Sequence, residues 1–268
     1  MKDHLLQIAS GERDPGRRVN IIREYLQAMI LRSMHAAGAF LPLSFVGGTA
    51  LRFVHGVRRF SEDLDFSAEG EETPNISRFA ERIERDLTRQ GFEVTTSRKS
   101  SGAMEAIWVR TARLLYEAGA DSNPRRKLSV KAEIDMNPPD GAHTETRIIR
   151  RHVMFTVRHH DLPSLMAGKI NALLTRPYTK GRDWYDLVWY LSIRSPVSPN
   201  LDLLRNALLQ SGNAANAESW PGELISRLDK LDAHSIRSDI EPFLEDREEV
   251  ALLDLEGIRT MLEERSQT

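Results

Sequence analysis

The 268-residue chain contains no cysteine, which excludes disulfides, thiolate-held zinc and cysteine nucleophiles and is compatible with a reducing compartment. It has no excess of either charge. Thirty-seven Lys and Arg stand against 39 Asp and Glu, for a formal net charge of -2, so nucleic acid could be bound only by local basic patches and not over the whole surface. Nothing approaches the uninterrupted apolar length that spans a bilayer, and Met1 to Ser10 carry only a short apolar run without a small-residue cleavage pattern. The expected location is therefore the cytoplasm, with no membrane partner. Internal repeats and low-complexity tracts are absent as well. What is present is a globular composition, 40% hydrophobic and 28% charged, long enough for two modest domains or one large one.

Apolar positions at Val19, Ile22, Tyr25, Leu26, Met29 and Ile30 recur at helical spacing and predict an amphipathic helix over 17–37, closed by Gly38 and Pro42. A strand over 44–46, a short helix over 49–55 and a strand over 64–67 follow, then a polar loop from Gly70 to Pro74. Asn75 is placed to cap a helix running to about Gln90, which Gly91 ends. Alternating or apolar runs with β-branched and aromatic members predict strands over 92–97, 106–115, 128–136 and 152–157, with turns at 119–123 and 138–141. From Asp161, an N-cap with Pro163 in the first turn, the chain reads helical to Arg265, broken near Pro177, Pro196, Pro199, Gly212 and Pro221. The expected fold class is α+β, with a mixed αβ domain over 1–160 and a helical domain over 161–268.

The richest stretch joins Ser44-Phe45-Val46-Gly47-Gly48-Thr49 to Arg59-Phe60-Ser61-Glu62-Asp63-Leu64-Asp65-Phe66, with fourteen residues between Gly48 and Asp63. An apolar run ending in two glycines at the start of a helix presents bare N–H groups and a positive helix end to phosphate. Asp63 and Asp65, two apart in an expected strand, leave one face of the sheet together, and two such carboxylates resist ionising unless a divalent cation sits between them. Mg²⁺ suits carboxylate oxygens, water and substrate phosphates. Each motif alone has a plainer reading: the glycines as an ordinary tight turn, the acids as a solvated strand end. A further strand carries Glu133 and Asp135 on one face, so periodicity cannot separate them.

Taken in order with Lys169 and Arg182-Asp183-Trp184-Tyr185-Asp186-Leu187, the pattern resembles the nucleotidyltransferase superfamily that includes polymerase β and the aminoglycoside nucleotidyltransferases. Within it the chain looks like the AbiEii/AbiGii (MenT-like) toxins, over roughly Ser44 to Leu191. The resemblance implies a nucleotidyltransferase-type mixed sheet with flanking helices and a C-terminal helical domain closing the nucleotide cleft. By the same resemblance Gly47, Gly48 and Thr49 hold the triphosphate, with Arg59 and Ser61 as further phosphate contacts. Asp63, Asp65 and a third acid bind two Mg²⁺ ions. Glu133 is favoured over Asp135 because Lys131-Ala132-Glu133-Ile134 is nearer the family's lysine, apolar, acid, apolar pattern. Lys169 reaches phosphate, and Asp186 is a catalytic residue that orients a lysine or the nucleotide. The implied reaction moves NMP from an NTP to a hydroxyl, most simply a tRNA 3′ end, within a toxin–antitoxin or phage-defence pair that has a cognate antitoxin. Other acceptors are a small molecule, a protein side chain or the enzyme itself, and a different class of reading is a non-catalytic nucleotide- or partner-binding module.

Three further features invite function. His159-His160-Asp161 suggests a metal, but adjacent residues on an extended segment face opposite ways. Trp184, Tyr185, Trp189 and Tyr190 form a stripe that helix packing accounts for, although one ring could stack a base. Basic clusters at Arg125-Arg126-Lys127, at Arg147 with Arg150-Arg151-His152, at Arg158 and around Arg176, Lys180 and Arg182 flank the third acid and Lys169 in sequence and would suit a polyanionic acceptor.

Overall fold

A computed structural model describes residues 1–69 and 72–267. Gly70 and Glu71, where the polar loop was expected to begin, lie outside the described residues. The chain forms two compact units. One comprises Met1–Gly56, Phe60–Pro138 and Glu145–His159, the other Val57–Arg59, Pro139–Thr144 and His160–Thr268.

The first unit opens with α1 (Lys2–Ser10) and α2 (Pro15–Ala36). Asp14 caps α2 by accepting from the Arg17 amide at 2.8 Å, and Pro15 follows where a missing N–H is harmless. This helix is buried far beyond one stripe, with Glu24 through Leu31 all inaccessible. Then come β1 (Leu43–Val46), the single turn α3 (Gly47–Ala50), a π-helical turn (Leu51–His55) and β2 (Leu64–Ala68). Next are α4 (Ile76–Arg89), capped by Asn75 as expected, β3 (Val94–Ser101), β4 (Met104–Thr111) and the short α5 (Leu114–Glu117). The unit ends with β5 (Leu128–Asp135), β6 (Thr144–Ile149) and β7 (Phe155–His160).

The seven strands form one mixed sheet in the order β3-β4-β5-β2-β1-β7-β6. β2 runs antiparallel to β1 and parallel to β5, and β3, β4 and β5 form an antiparallel meander. Strict alternation gives β5 two unlike faces: Leu128, Val130, Ala132 and Ile134 are buried, and Ser129, Lys131, Glu133 and Asp135 are half-buried. The buried face continues through Ile107 and Val109 on β4, Leu64 and Phe66 on β2 and Leu43 and Phe45 on β1. Each of these large side chains contributes about 1.5–3 kcal/mol by leaving water. The acids therefore belong to the other, open face.

Three expectations shift. The strand expected over 106–115 stops at Thr111, and Leu114 and Leu115 turn into α5, where both are buried. The strand expected over 152–157 begins at Phe155, because His152 takes a positive φ of 60° and bends the segment before it. β6 shows no sequence signal because five of its six residues are exposed and neither face is apolar.

The second unit contains α6 (Leu162–Thr175), α7 (Gly181–Leu191), α8 (Leu201–Gln210), α9 (Trp220–Leu228), α10 (Ala233–Ile240), two 3₁₀ turns (Glu241–Phe243 and Arg247–Leu252) and α11 (Leu255–Ser266). Asp161 caps α6 through the Ser164 amide at 2.9 Å. The break expected near Pro221 falls between α8 and α9, with Pro221 in the first turn of α9. α7 packs on α10 so closely at Gly181 that a Cβ there would collide with the Ile236 carbonyl. Among the described residues no helix is long and apolar enough to cross a membrane.

Candidate active site

In the first unit the Gly47-Gly48 turn and Asp65 meet through the pairing of β1 with β2. Val46 is in register with Asp65, so Gly47, the next residue, lies against that aspartate. Gly47 has φ +74°, and a Cβ added to it would come within 2.5 Å of Asp65 Oδ2. Only glycine satisfies both the backbone and the carboxylate. Thr49 is fully buried, and its hydroxyl donates to the Asp63 carbonyl, which ties α3 to the acid segment. Asp63 lies one residue before β2 rather than inside a strand as expected. Buried Gln27 of α2 secures the preceding residues, its Nε2 donating to the Ser61 carbonyl at 3.1 Å and the Glu62 carbonyl at 3.0 Å.

Parallel pairing of β2 with β5 sets Asp65 directly opposite Glu133, and Asp135 opposite Ser67. Glu133 is therefore Asp65's immediate cross-strand neighbour, with Asp135 two residues further along β5. The Glu133 carboxylate is engaged by Lys131 on its own strand, and Asp135 accepts from the Asn137 amide at 2.9 Å. Among the described residues no three acidic or imidazole side chains converge as a ready metal cluster. What the structure brings together is Gly47, Asp65 and Glu133 on one face, with Asp63 at its margin.

The second unit holds a different arrangement. Arg59 is 2% exposed, and its guanidinium forks onto Asp186, Nε to Oδ1 and Nη2 to Oδ2, both at 2.6 Å. The Lys169 ammonium, on α6, lies 2.7 Å from Asp183 Oδ1 and 2.7 Å from Asp186 Oδ2, and Asp183 also binds Arg176. Asp183 and Asp186, three apart on α7, point the same way by helical spacing. Burial opposes ionising Lys169, but the two aspartates outweigh it and raise its pKa. Burial likewise opposes ionising Asp183, yet Lys169 and Arg176 hold it at about 2. Three cations share two carboxylates in this cluster.

Asp183 was not singled out from sequence, although its spacing from Asp186 is a legible signal. A second buried cluster also escaped notice. Glu24 of α2 accepts from Arg151 Nε at 2.9 Å, lies 2.9 Å from His152 Nε2 and binds Arg52 of the π turn that follows α3. Burial pushes the Glu24 pKa up, but His152, Arg52 and Arg151 overcome it and hold it at about 2. A charged residue amid the apolar positions of α2 was the available sign. The aromatic stripe of α7 packs as expected, with Trp184, Tyr185 and Tyr190 buried. Arg182 stacks on Phe243 at 4.1 Å.

The chain thus carries a glycine turn against a strand carboxylate on a mixed sheet, and, later in sequence, a lysine and a paired aspartate on helices. The family model described as "Nucleotidyl transferase AbiEii toxin, Type IV TA system" matches residues 30–264. The chain belongs to this family and is a nucleotidyltransferase. The match extends well past the Ser44 to Leu191 stretch that carried the sequence resemblance. Two solved structures from Helicobacter pylori share the fold. One, described as a candidate nucleotidyltransferase, has TM-score 0.54 at 22% identity, covering 91% of this chain and 95% of that one. The other, JHP933, has TM-score 0.54 at 19% identity, covering 92% and 93%. No curated protein matches the chain.

Proposed function

We propose that this enzyme transfers NMP from an NTP to the 3′ end of a tRNA in the cytoplasm, releasing pyrophosphate, and that a cognate antitoxin restrains it. The observation that carries the reading is the approach of the Asp65 carboxylate to Gly47, with Glu133 in register beside it. Asp63, Asp65 and Glu133 offer the hard oxygen donors that Mg²⁺ takes, and Asp65 is already fixed at the phosphate-type turn. Two Mg²⁺ ions bound there would neutralise the triphosphate and the charge that develops as pyrophosphate leaves.

The chain's own residues do the rest. Gly47 and Gly48 present backbone amides to the phosphates, and Thr49 locks that turn to the acid segment through the Asp63 carbonyl. Ser61, half-buried and held through its carbonyl, is a further phosphate contact. Lys169 supplies a point charge to phosphate, and Asp186 orients it. Arg59, buried and committed to Asp186, acts as a positioning residue in place of the phosphate contact expected from sequence.

The test incubates the protein with Mg²⁺, each radiolabelled NTP in turn and total RNA, beside Asp63→Ala. Label entering a tRNA-sized band with wild type alone supports the reading. Label reaching only a small alcohol or the protein itself overturns the acceptor, and no pyrophosphate release with any NTP overturns the chemistry.

A further inference from the structure

The rows of side chains on the open face lead from the acids to the β3 edge of the sheet. Register aligns Asp65, Glu133, Ala106 and Lys99 in one row, and Lys131, Trp108 and Ser97 in the next. The third row holds Ser129, Arg110 and Thr95. Thr95, Ser97 and Lys99 are exposed, and Trp108, Arg110 and Lys131 are half-buried. The Trp108 ring has Arg110 Cζ at 5.2 Å and Lys131 Nζ at 5.4 Å from its centroid, and Arg110 is held by Ser97 Oγ at 2.6 Å. A large π-surface is thus fixed between cations on a polar face, beside the small residue Ala106 and one row from Glu133.

We propose that Trp108, with Lys99, Arg110 and Lys131, forms the track for the acceptor, an unpaired nucleic-acid 3′ end, with one base stacked on Trp108. This rests on the reading that the acceptor is RNA. The chemistry fits a single strand because stacking needs an unpaired base, while the cations at either side meet successive phosphates. Charge complementarity selects the same occupant, since these rows set Lys99, Arg110 and Lys131 around one aromatic ring. A phosphate that draws Lys131 away would also release the Glu133 carboxylate it now holds.

The test measures anisotropy of a 5′-fluorescein single-stranded RNA with a free 3′-OH, using full-length protein in EDTA without NTP. Trp108→Ala is expected to weaken binding roughly 5- to 100-fold. Trp108→Phe should keep it within about threefold while losing the RNA-induced quench of tryptophan emission. Lys99→Gln should reduce the salt slope by about 0.7. The quench readout decides the matter if Trp108→Ala fails to fold: a quench unchanged in Trp108→Phe overturns the track. Equal binding by Trp108→Ala also overturns it, as does competition by duplex RNA or polyglutamate as strong as by single strand. If wild type labels RNA while Trp108→Ala binds normally, the track falls and the transferase stands. If no RNA is ever labelled but the Trp108 effect holds, the acceptor reading falls and the track survives as an RNA surface.

Discussion

The acids of the sheet and those of α7 are the same residue types in opposite settings. Asp65 and Glu133 lie half-buried on an open face, and the Glu133 side chain keeps 31% of its surface. Asp186 is wholly buried and Asp183 nearly so, each holding two cations. Carboxylates that still meet solvent can exchange a partner for a metal or a substrate. Those saturated by buried cations fix geometry, and removing one leaves uncompensated charge in a dry interior. The contrast teaches that burial, more than residue type, sets these two groups of carboxylates apart.

Substitution can break that contrast. Asp65→Ala should lower NMP transfer by on the order of 10³-fold or more with little change in thermal midpoint, measured by label transfer and by melting. Asp186→Ala should do the reverse in part, lowering stability by about 3–5 kcal/mol because Arg59 and Lys169 lose a shared partner. A denaturant curve unchanged for Asp186→Ala would place that cluster outside the stabilising interior. The acid limb of the stability profile comes next. Glu24 ionises at about 2 when folded against an ordinary 4.5, and Asp183 at about 2 against 3.8. Depressed carboxyl values contribute stability that is complete above the unfolded values and disappears as pH falls toward 2, on the order of 3 kcal/mol for Glu24. Glu24→Gln should flatten that limb between about pH 4.5 and 2. The smallest effect sharpens the assignment of the third acid: Glu133→Ala should reduce transfer by roughly 10²-fold or more and Asp135→Ala by less than about tenfold, since only Glu133 faces Asp65.

Much of this was legible beforehand for stated physical reasons. Asn75 and Asp161 announce their helices because a short polar side chain before an apolar period has one good use, and both accept the expected amide. Gly47 beside a two-acid strand was legible as a pattern, though its contact with Asp65 depends on β1–β2 register, which no local signal encodes. Periodicity could not tell Glu133 from Asp135 for the same reason, and the preference for Glu133 came from the resemblance alone. Arg59 read as a phosphate contact because it stands four residues before Asp63. Its burial on Asp186, 127 residues later, is a long-range pairing. β6 was invisible because an edge strand with no apolar face carries no period.

The most direct measurement of the central claim is Mn²⁺ binding by EPR in the presence of a non-hydrolysable NTP analogue, wild type against Asp65→Asn. Wild type should take up manganese with the analogue while Asp65→Asn, equally folded, binds it at least about tenfold more weakly. Equal uptake by the two proteins would contradict the account.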